Sequence, residues 1–268
     1  KNGHLDNLFA VLEKACRYYE RLLGHPVQGR AARAYLQSRG ISDRTRETFR
    51  LGCTPPQAWD GLAKAAAKAK SSPRLLEEAG LIVPGPRGPR DRFRQRLLFP
   101  LQDVRGRIVG FGGRSLGDQQ PKYLNSPETP VYRKGHQLFG LPHAKDAIAT
   151  ARCAIVVEGY VDCLIAWQAG FAGVVSPLGT ALTPEQARLL SRYADRVVLA
   201  FDADAAGEAA TLRGIDVLVE TGFHVEVAHL PAGVDPDELI REQGPEAFGA
   251  LLAEPLDVIE FVIRCAQK

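Results

Sequence analysis

The sequence predicts a two-part fold. An α+β N-terminal subdomain of basic character precedes an α/β domain built on a mostly parallel sheet with flanking helices, and a short helical C-terminal segment follows. Three observations predict it. Helical apolar spacing fills the first part and short strand-like runs follow it. From residue 151 the pattern becomes strict strand–helix alternation, the mark of βαβ units. The charge also changes sign there: residues 1–86 carry 14 Lys and Arg against 8 Asp and Glu, residues 87–145 carry 12 against 4, and residues 151–268 carry 8 against 18. The division expected from these changes is 1–150, 151–234 and 235–268.

In chain order, apolar residues at Leu5, Leu8, Phe9, Leu12, Cys16, Tyr19, Leu22 and Leu23 predict a helix over 5–23, stopped by Gly24 and Pro26. Two short helices are expected over 30–50, broken at Gly40, with Ser42 as the second N-cap. An Ala/Lys helix over 62–70 meets a break at Ser71-Ser72-Pro73, and Pro84 to Pro89 reads as a loop. Strands are expected at Leu97–Leu101, at Arg107–Phe111 and from Tyr132 onward, with a turn from Asp103 to Gly106.

In the second part, Ala154 to Glu158 and Val197 to Phe201 are continuous apolar runs of the buried parallel-strand kind. A helix over 160–169, a strand at Gly173–Val175 and a helix opened by Thr183-Pro184-Glu185-Gln186 fill the space between them. That opening carries a cap, an N1 proline and a capping-box Gln. A helix over 206–221, a strand from His224 to Leu230 and a wholly helical remainder complete the chain.

Several classes are excluded. No apolar run is long enough to span a membrane, and the N-terminus lacks a signal-peptide pattern. The first residue is Lys rather than Met, so an excised fragment is expected. Five cysteines at irregular spacing, with no C-x-x-C, argue against a disulfide framework and a zinc site, and favour a reducing, cytoplasmic setting. Gly110-Phe111-Gly112-Gly113-Arg114 resembles a dinucleotide fingerprint, but Ser115 stands where its third glycine belongs and no helix opens there. No P-loop and no nucleophile elbow is present.

The carboxylates are better placed. Glu158 ends the first buried strand, Asp202 and Asp204 follow the strand 197–201, and Asp235 and Asp237 follow the strand ending near Leu230. In a parallel sheet those strand ends share one edge, where open α/β sheets bind ligands. Each acid taken singly has a plain alternative, since Asp204 or Asp237 would also serve as the N-cap of the next helix. Together they repel: two like unit charges about 4 Å apart repel by roughly 4 kcal/mol at an effective dielectric near 20. Oxygen ligands without His or Cys point to Mg²⁺, with Mn²⁺ as substitute. The basic half reads either as solvated surface or as an anion-binding face.

The pattern Glu158-Gly159-Tyr160-Val161-Asp162, Asp202-Ala203-Asp204 and Asp235-Pro236-Asp237 resembles the TOPRIM domain. Asp91-Arg92-Phe93-Arg94-Gln95-Arg96, Gly106 to Arg114, Pro121-Lys122-Tyr123-Leu124-Asn125-Ser126-Pro127, Lys134-Gly135 and Leu178-Gly179-Thr180 make the whole similar to the catalytic core of bacterial replicative primases of the DnaG type. Val161, Ala203 and Cys53 depart from the family's usual residues without touching a charged role. The resemblance implies Glu158, Asp202 and Asp204 as catalytic metal-binding acids, Asp235 and Asp237 as further metal ligands, and Asp162 nearby. It implies a basic ridge of Arg107, Arg114, Lys122, Asn125 and Lys134 facing template–primer and nucleotide. It also implies a single-stranded DNA template, ribonucleoside triphosphates and an RNA primer as partners, with a zinc module and a helicase-binding module lying outside this fragment. Tyr123 and Phe111 are candidates for base stacking or for strand core. The expected activity is RNA primer synthesis. The alternatives are a TOPRIM nuclease or topoisomerase, and a binding module with vestigial acids.

Overall fold

The computed structural model describes residues 2–267 except Arg87, Thr180, Ala203 and Asp204, with backbone only at Asn2, Ala205 and Ala206. The chain forms two compact units, Lys1–Lys134 and Gly135–Lys268.

The first unit opens with α1 (Asn2–Gly24), whose Leu8, Leu12, Cys16 and Tyr19 form a fully buried stripe. α2 (Arg30–Ser38) and α3 (Asp43–Thr48) follow, and Ser42 caps α3 by accepting the Thr45 N–H. After β1 (Gly52–Cys53) come α4 (Gly61–Lys68) and α5 (Pro73–Glu78). Pro73, expected as a break, is instead the first residue of α5, a position where its missing N–H leaves no bond unmade. β2 (Ile82–Val83) pairs with β3 (Arg90–Asp91). β4 (Arg96–Gln102), β5 (Ile108–Ser115) and β6 (Tyr123–Asn125) join β1 in an antiparallel sheet of order β1-β4-β5-β6. The β4–β5 turn forms where expected: Asp103 accepts the Arg105 and Arg107 N–H groups, and Gly106 takes φ +79°. α1 lies on this sheet, with Leu98, Ile108, Phe111 and Phe93 under its buried stripe. No strand starts at Tyr132. Thr129 and Tyr132 make an isolated bridge, since Pro127 and Pro130 remove ladder donors nearby.

The second unit follows a 3₁₀ turn at Lys134–His136. α6 (Leu141–Ala151) leads into β7 (Cys153–Val157), α7 (Tyr160–Gln168), β8 (Val174–Val175), α8 (Pro184–Leu190) and β9 (Arg196–Ala200). α9 (Ala205–Glu220), β10 (His224–Val227), α10 (Pro236–Gln243), α11 (Pro245–Ala253), β11 (Leu256–Asp257) and α12 (Val258–Ala266) complete it. The sheet order is β11-β10-β9-β7-β8, parallel throughout except for β11. Val156, Val157, Val197, Leu199 and Ala200 are buried in it, as their unbroken apolar runs require. The expected capping box is present: Thr183 accepts the Gln186 N–H, and the Gln186 side chain accepts the Thr183 N–H.

Two expectations need correction. The unit boundary falls at 134/135 rather than 150/151, because Phe139 exchanges backbone hydrogen bonds with Ser176 (2.8 and 3.0 Å) and α6 packs on β7 and β8. The C-terminal stretch is not wholly helical, since Leu256–Asp257 forms β11 antiparallel to β10. Pro255 ends the helical run there, and two residues are too few to show a strand period. No described helix is long and apolar enough to cross a membrane.

Candidate active site

Parallel register gathers the acidic loops. Val157 at the end of β7 lies opposite Ala200 at the end of β9, and Val227 of β10 lies opposite Leu199. Glu158, Asp202 and the segment leading to Asp235 therefore leave three neighbouring strands at one edge.

Among the described residues, Asp162, Asp235 and Asp237 form one grouping, each offering a carboxylate oxygen within 4.8 Å of the others. Asp162 sits in the first turn of α7, where its Oδ2 accepts the Gly159 N–H at 2.9 Å. Its Oδ1 accepts the Asp237 N–H at 3.4 Å, a contact made possible because α10 packs on α7. Asp235 is the N-cap of α10 and accepts the Glu238 N–H at 2.7 Å. Asp237 is buried and takes the Nε–H of Arg241, one turn on. The cap of this helix is thus Asp235, not Asp237 as the plain alternative had it.

Burial, and then the Asp235, Asp202 and Asp237 carboxylates, push Asp162 up to about 8. The cluster as it stands disfavours full ionisation and would gain from a cation. Asp202 is close enough to raise Asp162, and Glu158 stands half-buried at the end of β7, its carbonyl accepting the Ser176 hydroxyl at 2.8 Å. Asp204 lies outside the described residues. The sequence ranked Asp162 behind the other acids, whereas the structure puts it at the centre of the grouping. Gly207 was overlooked: a Cβ there would stand 2.0 Å from the Asp202 carbonyl oxygen, so the Asp202 backbone can pass the start of α9 only over a glycine. The D-x-D-x-x-G spacing was the available signal.

All five expected basic-ridge positions lie in the first unit. Arg107 pairs with Asp103 (2.7 Å) and lies 3.9 Å over the Phe9 ring. The Arg114 guanidinium lies 4.0 Å over Tyr35 and donates to the Ser115 carbonyl at 3.0 Å. Lys122 is exposed, just before β6, and Asn125 pairs with Gly112 in the sheet. Lys134 opens the 3₁₀ turn half-buried, and burial lowers its ammonium pKa. Tyr123 is 39% exposed, but Phe111 is fully buried against Tyr19 and Phe93, which removes it as a stacking candidate. Motif reading passed over Trp59, 60% exposed with the Arg94 guanidinium 4.3 Å above its ring.

Two family models match the chain: "DNA primase catalytic core, N-terminal domain" over residues 18–145 and "Toprim-like" over residues 155–240. The DNA primase of Halalkalibacterium halodurans is 42% identical over 267 residues, covering 98% of this chain and 44% of that protein. The chain thus spans less than half the length of this curated relative. The structure of a DnaG primase catalytic domain bound to ssDNA matches with a TM-score of 0.87 and 35% identity, over 99% of this chain and 86% of that one. The RNA polymerase domain of Mycobacterium tuberculosis primase DnaG matches with a TM-score of 0.90 and 35% identity, over 97% and 87%. With two adjoining family models and full-length agreement with solved cores at this identity, the chain belongs to the family of bacterial DnaG-type primase catalytic cores.

Proposed function

We propose that the chain synthesises short RNA primers on single-stranded DNA by metal-dependent nucleotidyl transfer. The observation that carries this reading is a carboxylate cluster at the C-terminal edge of a Toprim sheet, in the same chain as a strongly basic primase-core domain. A primer 3′-hydroxyl oxygen would bond to the α-phosphorus of a ribonucleoside triphosphate. The bond to the β-phosphate oxygen breaks, pyrophosphate leaves and the hydroxyl proton passes to solvent.

The donor set suits a hard divalent cation. Asp162, Asp235 and Asp237 converge as oxygen ligands without His or Cys, and burial, then their mutual repulsion, raises the Asp162 pKa. Glu158, Asp202 and Asp204 would be the principal holders of Mg²⁺ or Mn²⁺, with Asp235 and Asp237 beside them. Asp162 both caps α7 and supports the grouping. The ion would neutralise charge on the transferred phosphoryl group. Arg114, Lys122, Asn125 and Lys134 would hold template and nucleotide phosphates, largely without reading sequence. Arg107 enters this group through its motif position, although its charge is matched by Asp103. The replicative helicase, as a partner, and the cytoplasm, as the setting, rest on the family resemblance; the five free cysteines are in keeping with a reducing compartment.

The test supplies a single-stranded template, ribonucleoside triphosphates and Mg²⁺ or Mn²⁺, with Asp202→Ala as control. Growing RNA that vanishes in the control supports primer synthesis. Template shortening without RNA growth would assign the nuclease alternative instead.

A further inference from the structure

Arg96, the first residue of β4, is 3% exposed, and its guanidinium has no carboxylate partner among the described residues. Burial, and then the neighbouring Arg94, lower its pKa. Its donors go to main-chain carbonyls instead. Nη1 donates to Gly113 at 3.0 Å and to Lys122 at 3.2 Å, and Nη2 donates to Pro121 at 2.8 Å. Its own backbone is locked as well: the Arg96 N–H donates to the Thr54 hydroxyl at 2.8 Å, and the Thr54 N–H donates to the Arg96 carbonyl at 3.0 Å.

An unpaired buried cation is an expensive way to fill space. A planar fork that bonds several carbonyls at once is something an apolar side chain cannot supply. The neighbouring strand is shaped to admit it. A Cβ at Gly113 would lie 3.0 Å from Arg96 Cδ and 2.9 Å from Phe93 Cδ1, so the third glycine of Gly110-Phe111-Gly112-Gly113 makes room for the Arg96 stem rather than for a nucleotide. Arg92, four residues earlier, donates to the Asn125 carbonyl at 3.3 Å. The residues leading into β6 and the last residue of β6 are thus held through their carbonyls, while the Lys122 side chain is exposed.

We propose that Arg96 is a positioning residue of the nucleic-acid interface, its guanidinium fixing the Pro121–Lys122 carbonyls so that the Lys122 ammonium meets a template phosphate in a set place. This rests on the assignment of Lys122 to template binding made above.

The test measures binding of a fluorescent oligo-dT strand to the full chain over a series of NaCl concentrations. Wild type is compared with Lys122→Ala, Arg96→Lys and the double variant. Arg96→Lys keeps the charge but loses the fork, so a role for the charge alone leaves it unchanged. Each single variant is expected to make the slope of log K against log salt shallower by about 0.7, the loss of one phosphate contact on a single strand. The double variant is expected to show no further change. Amide exchange gives a second readout: Arg96→Lys should speed exchange at Ser115, whose N–H donates to the Lys122 carbonyl, while α1 stays protected. If Arg96→Lys does not fold, Gly113→Ala displaces the same stem and is read by the same slope.

A folded Arg96→Lys with the wild-type slope overturns the proposal, whatever its thermal stability, because that pattern marks a purely structural side chain. Additive slope changes in the double variant overturn it too. A wild-type slope in Lys122→Ala removes the Lys122 assignment and the proposal with it. A changed Lys122→Ala beside an unchanged Arg96→Lys removes the proposal alone.

Discussion

Asp162 is where the chemistry of single residues is most exposed to measurement. In the folded chain its proton is held up to about pH 8, while an unfolded chain releases it near pH 4. Between those values the folded state binds the extra proton. Its contribution to stability is therefore full below about pH 4 and is lost as pH rises through 8. In EDTA, the melting temperature of Asp162→Asn relative to wild type should climb as pH goes from 5 to 8.5; parallel curves would show that Asp162 titrates as an ordinary carboxyl. Asp202, Asp235 and Asp237 are the carboxylates that repel it. Glu158→Gln, Asp202→Asn and Asp204→Asn should each lose most nucleotidyl transfer while metal-free stability stays level or rises, since each removes one like charge. Near-normal activity in Mg²⁺ for all three would mean the acids have been misassigned.

At the scale of elements, legibility followed local signal. The buried strands β7 and β9 were readable because a strand covered on both faces is apolar without interruption. The Thr183–Gln186 capping box was readable because its whole logic fits in four residues. Of the five two-residue strands among the described residues, β8 was expected at Gly173–Val175, whereas β1, β2, β3 and β11 carry no period and exist only through their partners. Asp162 shows the same limit at the site: from sequence it is a helix-start acid, and only the packing of α10 on α7 brings Asp235 and Asp237 to it. Close backbone approaches are also long-range facts, and Gly207 tests one. Gly207→Ala sets a Cβ against the Asp202 carbonyl, where neither side is a flexible side chain. Overpacking of this kind costs typically about 1–3 kcal/mol. Chemical denaturation should find a loss in that range, and residual activity should require more metal. A neutral Gly207→Ala would mean that α9 starts differently in solution.

The whole molecule is two oppositely charged units. Residues 1–134 carry 25 Lys and Arg against 12 Asp and Glu, and residues 135–268 carry 9 against 19. A polyanion and a divalent cation are thus drawn to different units, so template grip and metal binding should be separable by mutation. Lys122 and Lys134 are the residues to use: Lys122 is exposed, Lys134 is half-buried, and neither has a carboxylate partner for its ammonium among the described residues. In Lys122→Ala/Lys134→Ala, calorimetric Mn²⁺ binding should match wild type, because no carboxylate has changed. Single-stranded DNA binding should weaken, with a salt slope shallower by about 1.4 if each lysine neutralises one phosphate. Primer synthesis should fall sharply and recover in part at raised template or nucleotide concentration, the signature of lost ground-state binding rather than lost transition-state contact. An unchanged rate would return both lysines to ordinary solvated surface. A lost Mn²⁺ affinity would show that template grip and metal binding are not separable by these two substitutions.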